Sequence, residues 1–363
     1  MPRPRIDDVA KRAGVSKTAV SFAFNQPENL NETTRGRILA AAEELGYRPS
    51  PIARRLAARR TDQIGLVVPQ STHDIFANPF LPELVRGIGD VCDSEGIAVV
   101  IVPPTHGSIG KAVEAALVDG LILLGLGSDH PELDQVRRSG LPVVALDVED
   151  SDVPVIAIDD VGGARLAAEH LRDLGHRDIG VVLIAAHPDT PGDERQGISA
   201  RRLAGIRAGF GLAPGTDRGD TTILHILSAA VSEEGGRAAF AAFAGDDLPS
   251  AIMTMSDVAA IGVLNAALDA GLTLPHDLSI VGFDDIPAAS WVSPRLTTVH
   301  QPIRQKGRLA AACLIEFIRS PDGRMPTREL LPTRLVVRGS TAPVETTARS
   351  SQRLREEEVY PRA

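Results

Sequence analysis

The sequence predicts two fold classes in one chain: a small all-α head of helix-turn-helix type, then an α/β body of two lobes, each a doubly wound parallel sheet. Three observations carry this. The charge is divided, for residues 1–60 hold 12 Lys+Arg and 6 Asp+Glu (net +6) while the remainder holds 26 and 41 (net −15), inside an overall −9. The hydrophobic pattern has helical spacing up to about Gly46 and changes after Ile64 to short apolar runs alternating with helical stretches. At 363 residues the chain is too long for one ordinary core.

The head comes first in order. Ile6, Val9, Ala10 and Ala13 fall at i, i+3, i+4, i+7, one face of a helix, and Gly14 follows where a helix end tolerates positive φ. Ser16 is a good N-cap for a second short helix, Lys17–Asn25, with Val20, Ala23 and Phe24 turned inward. Asn31 caps a third helix, whose apolar positions Ile38, Leu39, Ala42 and Leu45 run up to Gly46. Helix, Gly-containing turn and short helix make a helix-turn-helix. The basic head on an acidic body suits a phosphate-binding surface at one end; a solvated basic face is the alternative.

The run Asp8-Val-Ala-x-x-Ala-Gly-Val-Ser-x-x-x-Val-Ser21, with Asn25, Thr34-Arg35 and Ala41-Ala-Glu-Glu-Leu-Gly-Tyr-Arg-Pro49, resembles the DNA-binding head of the LacI/GalR family. The resemblance implies that the second helix enters the major groove and that a homodimer reads palindromic double-stranded operator DNA. It places Lys17, Thr18 and Phe22 at base-reading positions, and Ser16, Ser21 and Asn25 at phosphate-contacting ones. Phe22 departs from the Arg common there. A phenyl ring has no hydrogen bond for a guanine edge, so it either meets a thymine methyl or packs in the small core.

Residues 49–61 read as a linker. Two prolines set off a short segment, Pro49-Ser-Pro-Ile-Ala-Arg-Arg-Leu-Ala-Ala-Arg-Arg60, with Ser50 and Pro51 as cap and first turn. In the resembled family this is a hinge helix, which implies that Leu56 wedges into a minor-groove step while Arg54 and Arg55 face phosphates. The alternative is a basic linker with Leu56 packed on the next domain.

The body, residues 62–341, has strand-like runs at Ile64–Pro69, Ala98–Val102, Gly120–Leu124, Val143–Leu146, Val155–Ile158, Ile179–Leu183, Ala251–Met255 and Ser279–Phe283. Helical stretches at Leu81–Glu95, Gly163–Leu174, Ala200–Phe210, Glu234–Phe243 and Val258–Ala270 separate them. So many elements overfill one sheet, hence two lobes. Ligands in such sheets bind beyond the carboxyl ends of strands, where this chain repeatedly places acids: Asp147, Asp159-Asp160, Ser256-Asp257 and Asp284-Asp285. Those groups suit a small molecule offering several donors.

Asn78-Pro-Phe80, Asp159-Asp-x-x-Gly-Ala164, Glu169-His-Leu-x-x-Leu-Gly-His-Arg177, Arg202-x-x-Gly205, Ser256-Asp257-x-x-Ala260 and Val281-Gly-Phe-Asp-Asp285 through Pro294-x-Leu-Thr-Thr-Val-x-Gln-Pro302 also resemble the family's effector domain. That domain is similar to periplasmic binding proteins. Residue by residue, the resemblance assigns effector contacts to Arg202, Ser256 and Asp284, with Phe80, Asp159, Asp257 and Trp291 as further pocket candidates. The expected effector is a sugar, nucleoside or similar polar metabolite. Asp159 and Asp257 have a plainer reading as helix caps, Arg202 as a carboxylate's partner, and Trp291 as packing or dimer surface. Ala230 stands where sugar-binding relatives carry a ring-stacking aromatic, and the stretch 184–198 is longer and more polar than is usual; both point away from a simple hexose.

Other classes fit less well. No G-x-S-x-G elbow, P-loop or G-x-G-x-x-G follows a strand, so no enzyme is expected. His170 and His176 have no metal-ligand spacing, and no cofactor is called for. Cys92 and Cys313 alone cannot build a disulfide framework. The first residues lack an apolar run after their arginines and no run is long enough to cross a bilayer, so a cytoplasmic, nucleoid-associated protein without membrane contact is expected. Residues 342–363 read as a disordered charged tail without a leucine heptad. The expectation is a repressor-type transcriptional regulator whose operator affinity a small molecule controls allosterically.

Overall fold

A computed structural model describes residues 4–48, 60–126, 130, 132–149, 151–185, 197–244, 248–320 and 328–344. The chain divides into two compact units, Met1–Gln63 and Ile64–Ala363.

The first unit holds α1 (Ile6–Ala13), α2 (Lys17–Asn25), a 3-10 turn (Pro27–Asn29) and α3 (Glu32–Glu44). Each start has a local cause. The Asp8 carboxylate accepts from the Arg5 amide at α1, Ser16 Oγ accepts from the Ala19 amide at α2, and Asn31 Oδ1 accepts from the Thr34 amide at α3. Gly14 ends α1 at φ 63, a conformation a side chain would strain. Val9, Ala10, Ala13, Val20, Ala23, Ile38, Ala41 and Ala42 form the core, and the Phe24 ring meets Tyr47 with centroids 6.0 Å apart. Leu39, expected inside, is exposed, because Ala41 takes the inward position.

In the second unit the first lobe contains β1 (Gln63–Val67), α4 (Thr72–Ala77), α5 (Phe80–Glu95), β2 (Ala98–Val102), α6 (Ile109–Ala115), β3 (Leu121–Leu124), α7 (Leu133–Arg138), β4 (Val143–Leu146) and β5 (Val155–Ile158). The chain crosses through α8 (Asp160–Asp173) to β6 (Asp178–Ile184), α9 (Gly197–Gly209), β7 (Ile223–Ala229), α10 (Glu233–Phe243), β8 (Ala251–Thr254), α11 (Asp257–Asp269), β9 (Ser279–Asp284) and β10 (Thr297–His300). It returns through α12 (Ile303–Arg319) to β11 (Arg328–Leu331) and ends with β12 (Arg334–Val336). The strand orders are β11-β5-β4-β3-β1-β2 and β12-β10-β9-β8-β6-β7. The central strands pair in parallel as expected, and at one edge of the second sheet β12 runs antiparallel to β10.

Alternation along the strands sorts side chains between layers. Leu66 and Ile122 join the core under α5 and α12, while Val67, Leu121 and Leu123 join the one under α6 and α7. The second sheet repeats this with Val181 and Val182. Close helix packing brings α12 onto α5: a Cβ on Gly87 would stand 2.2 Å from the Arg304 carbonyl oxygen, so only glycine fits. Among the described residues no helix is long and apolar enough to cross a membrane.

Candidate functional site

In the head, α2 carries the expected reading surface. Lys17, Thr18 and Asn25 are exposed; Ser21 and Phe22 are half-buried. Phe22 is not among the side chains packed on the head's core, whereas its neighbour Phe24 is. Ser16 spends its hydroxyl on capping α2, and Asn25 Nδ2 donates to Ser21 Oγ at 3.3 Å. The Lys17 ammonium stands 2.6 Å from an Asp7 carboxylate oxygen, without the alignment of a hydrogen bond. Leu56, Arg54 and Arg55 lie outside the described residues.

In the body, the carboxyl ends of the central strands gather a buried set of charges. Asp147 follows β4 at φ 60, and Asp284 ends β9 at φ 122. Such conformations are costly for a residue with a Cβ and cluster at functional sites. Asp284 accepts from the Gln301 side-chain amide through Oδ1. Burial pushes the Asp284 carboxyl up to about 6, against the pull of Arg202, the Gln301 hydrogen bond and Lys306, with Asp147 adding to the rise.

Arg202 lies on α9. Its Nε donates to Asp160 at 2.9 Å, Nη1 donates to the Met255 carbonyl, and its guanidinium lies 3.6 Å over the Phe283 ring. Arg201 shares the same acid, donating from Nε to Asp160 and from Nη2 to the Asp147 carbonyl, both at 2.9 Å. Burial alone would raise Asp160, but the two guanidiniums outweigh it and hold the carboxyl below its ordinary range. Ser256 follows β8, next to β9. Its Oγ is buried, caps nothing and has no hydrogen-bond partner among the described residues.

Other expected residues do different work. Asp159 caps α8, accepting from the Gly162 amide at 2.8 Å. Asp257 turns beneath β9 and accepts from Thr298 Oγ1 and the Ile286 amide, so it ties strand ends together rather than facing the cleft. Burial, with Asp284 beside it, pushes the Asp257 carboxyl well above the carboxylate range. Phe80 opens α5, half-buried, 5.4 Å from the Lys306 ammonium. Trp291 is 78 % exposed and does not join the cluster. Asp285 faces away: burial would raise it, but hydrogen bonds from His300 and Arg338 bring it below its ordinary range.

The sequence reading placed Asp147 and Asp160 at strand ends without a role, and it missed Arg201, Gln301 and Lys306. Lys306 had a signal. It falls on the inward face of α12 with Ile303, Ala310 and Leu314, where a charged residue is out of pattern.

Residues 5–50 match the model described as bacterial regulatory proteins, lacI family, and residues 168–341 match a periplasmic binding protein-like domain. The regulator CelR of Thermobifida fusca is 32% identical over 348 residues, 93% of this chain and 98% of that protein. The ribose operon repressor of Escherichia coli K12 is 33% identical over 343 residues, 92% and 98%. Among solved structures, a CelR–cellobiose complex has a TM-score of 0.64 at 30% identity, with 93% of this chain and all of that one covered. A lac repressor dimer bound to operator and an anti-inducer has a TM-score of 0.72 at 26% identity, covering 94% of this chain and all of the other.

Proposed function

The chain belongs to the LacI family of bacterial regulatory proteins, and from that premise we propose that a sugar-like or nucleoside-like metabolite, held at the strand ends by Asp284, Arg202 and Ser256, sets how tightly the head holds its operator. The protein is a DNA-binding transcriptional regulator with a carboxyl-terminal ligand-binding domain, working as a homodimer. In this reading it acts in the cytoplasm, on the nucleoid, and catalyses nothing.

What carries the assignment is the Ser256 hydroxyl. A buried polar group without a partner costs about 1–3 kcal/mol, and here it sits one strand away from a buried aspartate held at a positive φ. A ligand hydroxyl or amine satisfies both. Solved relatives hold cellobiose or ribose, which supports a polyhydroxylated ligand. Binding between lobes joined by three chain crossings favours one lobe arrangement, and a differential affinity of about 1–3 kcal/mol suffices to change operator occupancy.

In the head, Lys17 and Thr18 read base edges, and Phe22, free of the core, offers a thymine methyl its contact. Ser16, Ser21 and Asn25 hold phosphates.

Thermal unfolding of the full-length protein against D-ribose, cellobiose and a set of nucleosides tests the ligand half. A ligand at 100 times its Kd adds about 2.7 kcal/mol and a clear rise in Tm. Asp284→Asn should abolish that rise; a panel without any shift, or an unchanged shift in the variant, removes the cleft from this role. Selection from randomised duplex DNA tests the other half, and a failure to enrich two-fold symmetric sites would contradict it.

A further inference from the structure

Among the described residues no fully buried side chain is larger than Lys306, and it is a lysine. Its ammonium has three N–H groups. All three are spent: two on the Asp147 carboxylate at 2.7 and 2.6 Å, one on Gln301 Oε1 at 2.8 Å. Lys306 therefore has nothing left to offer a ligand. It acts on its partners.

The consequence for Gln301 is orientational. Lysine only donates, so the Gln301 oxygen must face it, and the Gln301 NH2 must then face the other way, where it donates to Asp284 Oδ1. Without the ammonium the amide is free to flip and present its oxygen to the carboxylate. The partners also belong to different lobes. Asp147 follows β4 of the first sheet; Gln301 follows β10 and Asp284 ends β9 of the second; Lys306 sits in the first turn of the helix that crosses between them. The path closes on itself, since Asp147 also accepts Arg201 through its backbone, Arg201 shares Asp160 with Arg202, and Arg202 attracts Asp284.

We propose that Lys306 is the positioning residue for Asp284: it fixes the Gln301 amide with its N–H groups toward that carboxylate and anchors the pair to Asp147, so the acid that meets the effector is aimed from both lobes at once. The inference rests on the reading of Asp284 as an effector contact. It adds a dependence of the cleft's geometry on the arrangement of the lobes, carried by one side chain.

The groups facing Asp284 are Arg202 from α9, Lys306 from α12, Gln301 after β10, Asp147 after β4 and Asp257 from α11, whereas Asp285 is turned to His300 and Arg338. Full-length protein labelled with 15N at glutamine tests the proposal, with the Gln301 side-chain amide assigned by its loss in Gln301→Met. In the wild type this amide should titrate with Asp284, near pH 6. In Lys306→Met the midpoint should rise by about 1 pH unit, because an attraction is lost while Asp147 remains. That variant leaves Asp147 buried without a cation and risks misfolding, so Lys306→Met/Asp147→Leu is measured too. There the opposing charges leave together, and the midpoint should still rise because the unfixed amide no longer donates. A double variant titrating as the wild type does would overturn the proposal, leaving Lys306 as a mere counter-ion for Asp147. No ligand enters this measurement, so its outcome is separate from that of the sugar panel with Asp284→Asn.

Discussion

Two ion pairs of equal length mark the two units of this protein. Arg12 and Glu44 join α1 to α3 in the head at 2.6 Å, each side chain 56% exposed. Lys306 and Asp147 meet in the body at 2.6 Å, with exposures of 0% and 6%. The distance says little about what either pair does. In water the head's pair is screened and contributes little. Out of water, the body's pair is committed: charges there have lost their hydration, and removing one strands the other. The head keeps its charges solvated and available to a polyanion, while the strand-end cluster of the body locks its charges against one another and leaves only a few groups for a ligand.

The largest expected effect follows from breaking the buried set. Asp160→Ala leaves Arg201 and Arg202 without their shared acid, and about 3–5 kcal/mol of stability should go with it. Urea unfolding reads this directly. A loss below about 1 kcal/mol would mean that water reaches the site, and the contrast with the head would fail. Next is Lys17→Ala, which concerns binding rather than folding. It should weaken a selected duplex by about 1–3 kcal/mol and a scrambled duplex much less. Equal losses on both would make Lys17 a phosphate contact.

The same division explains what was legible in the sequence. The head announced itself through caps and spacing: Ser16, Asn31 and the 6, 9, 10, 13 face need only their near neighbours, so local pattern specified them. Most strands before residue 284 were legible because buried parallel strands are continuous apolar runs, but β7 was not, since it lies at a sheet edge, is only partly buried and carries His225 and Ser228. β10, α12, β11 and β12 were not drawn out. β11 and β12 alternate charged and apolar residues at sheet edges, and neither looks like a core strand. For the site, strand-end position pointed to Asp284 and Ser256, yet it could not separate Asp284, facing inward, from Asp285, held by His300 and Arg338. That choice is made by φ 122 and φ 58 at the two residues and by partners some 15 to 53 positions away. The signal at Lys306 could not be interpreted for a related reason. Its counter-ion lies 159 residues earlier, and a lone lysine on an apolar face reads as an irregularity until Asp147 is placed beside it.

Ser256→Ala should have a smaller effect, of opposite sign. Removing a buried hydroxyl that has no partner takes away its desolvation cost, so the unliganded protein should be unchanged or more stable by up to about 1 kcal/mol. The sugar-induced rise in Tm should shrink. A destabilised variant would show that the hydroxyl has a protein partner after all, and that the cleft, like the charge cluster beside it, is fully committed.

The smallest effect belongs to Arg12→Ala. Its hydrogen bonds hold the Glu44 carboxyl below its ordinary range, so the pair's stabilisation is present above the ordinary carboxylate pKa and is lost as pH falls through the lowered one. The variant should therefore differ slightly from the wild type at neutral pH and low salt, and converge with it in acid and in high salt. Thermal unfolding across both axes is the measurement. If the difference persisted in high salt, the pair would be acting through packing of the Arg12 stem on α3 rather than through charge, and the head would resemble the body more than its exposure suggests.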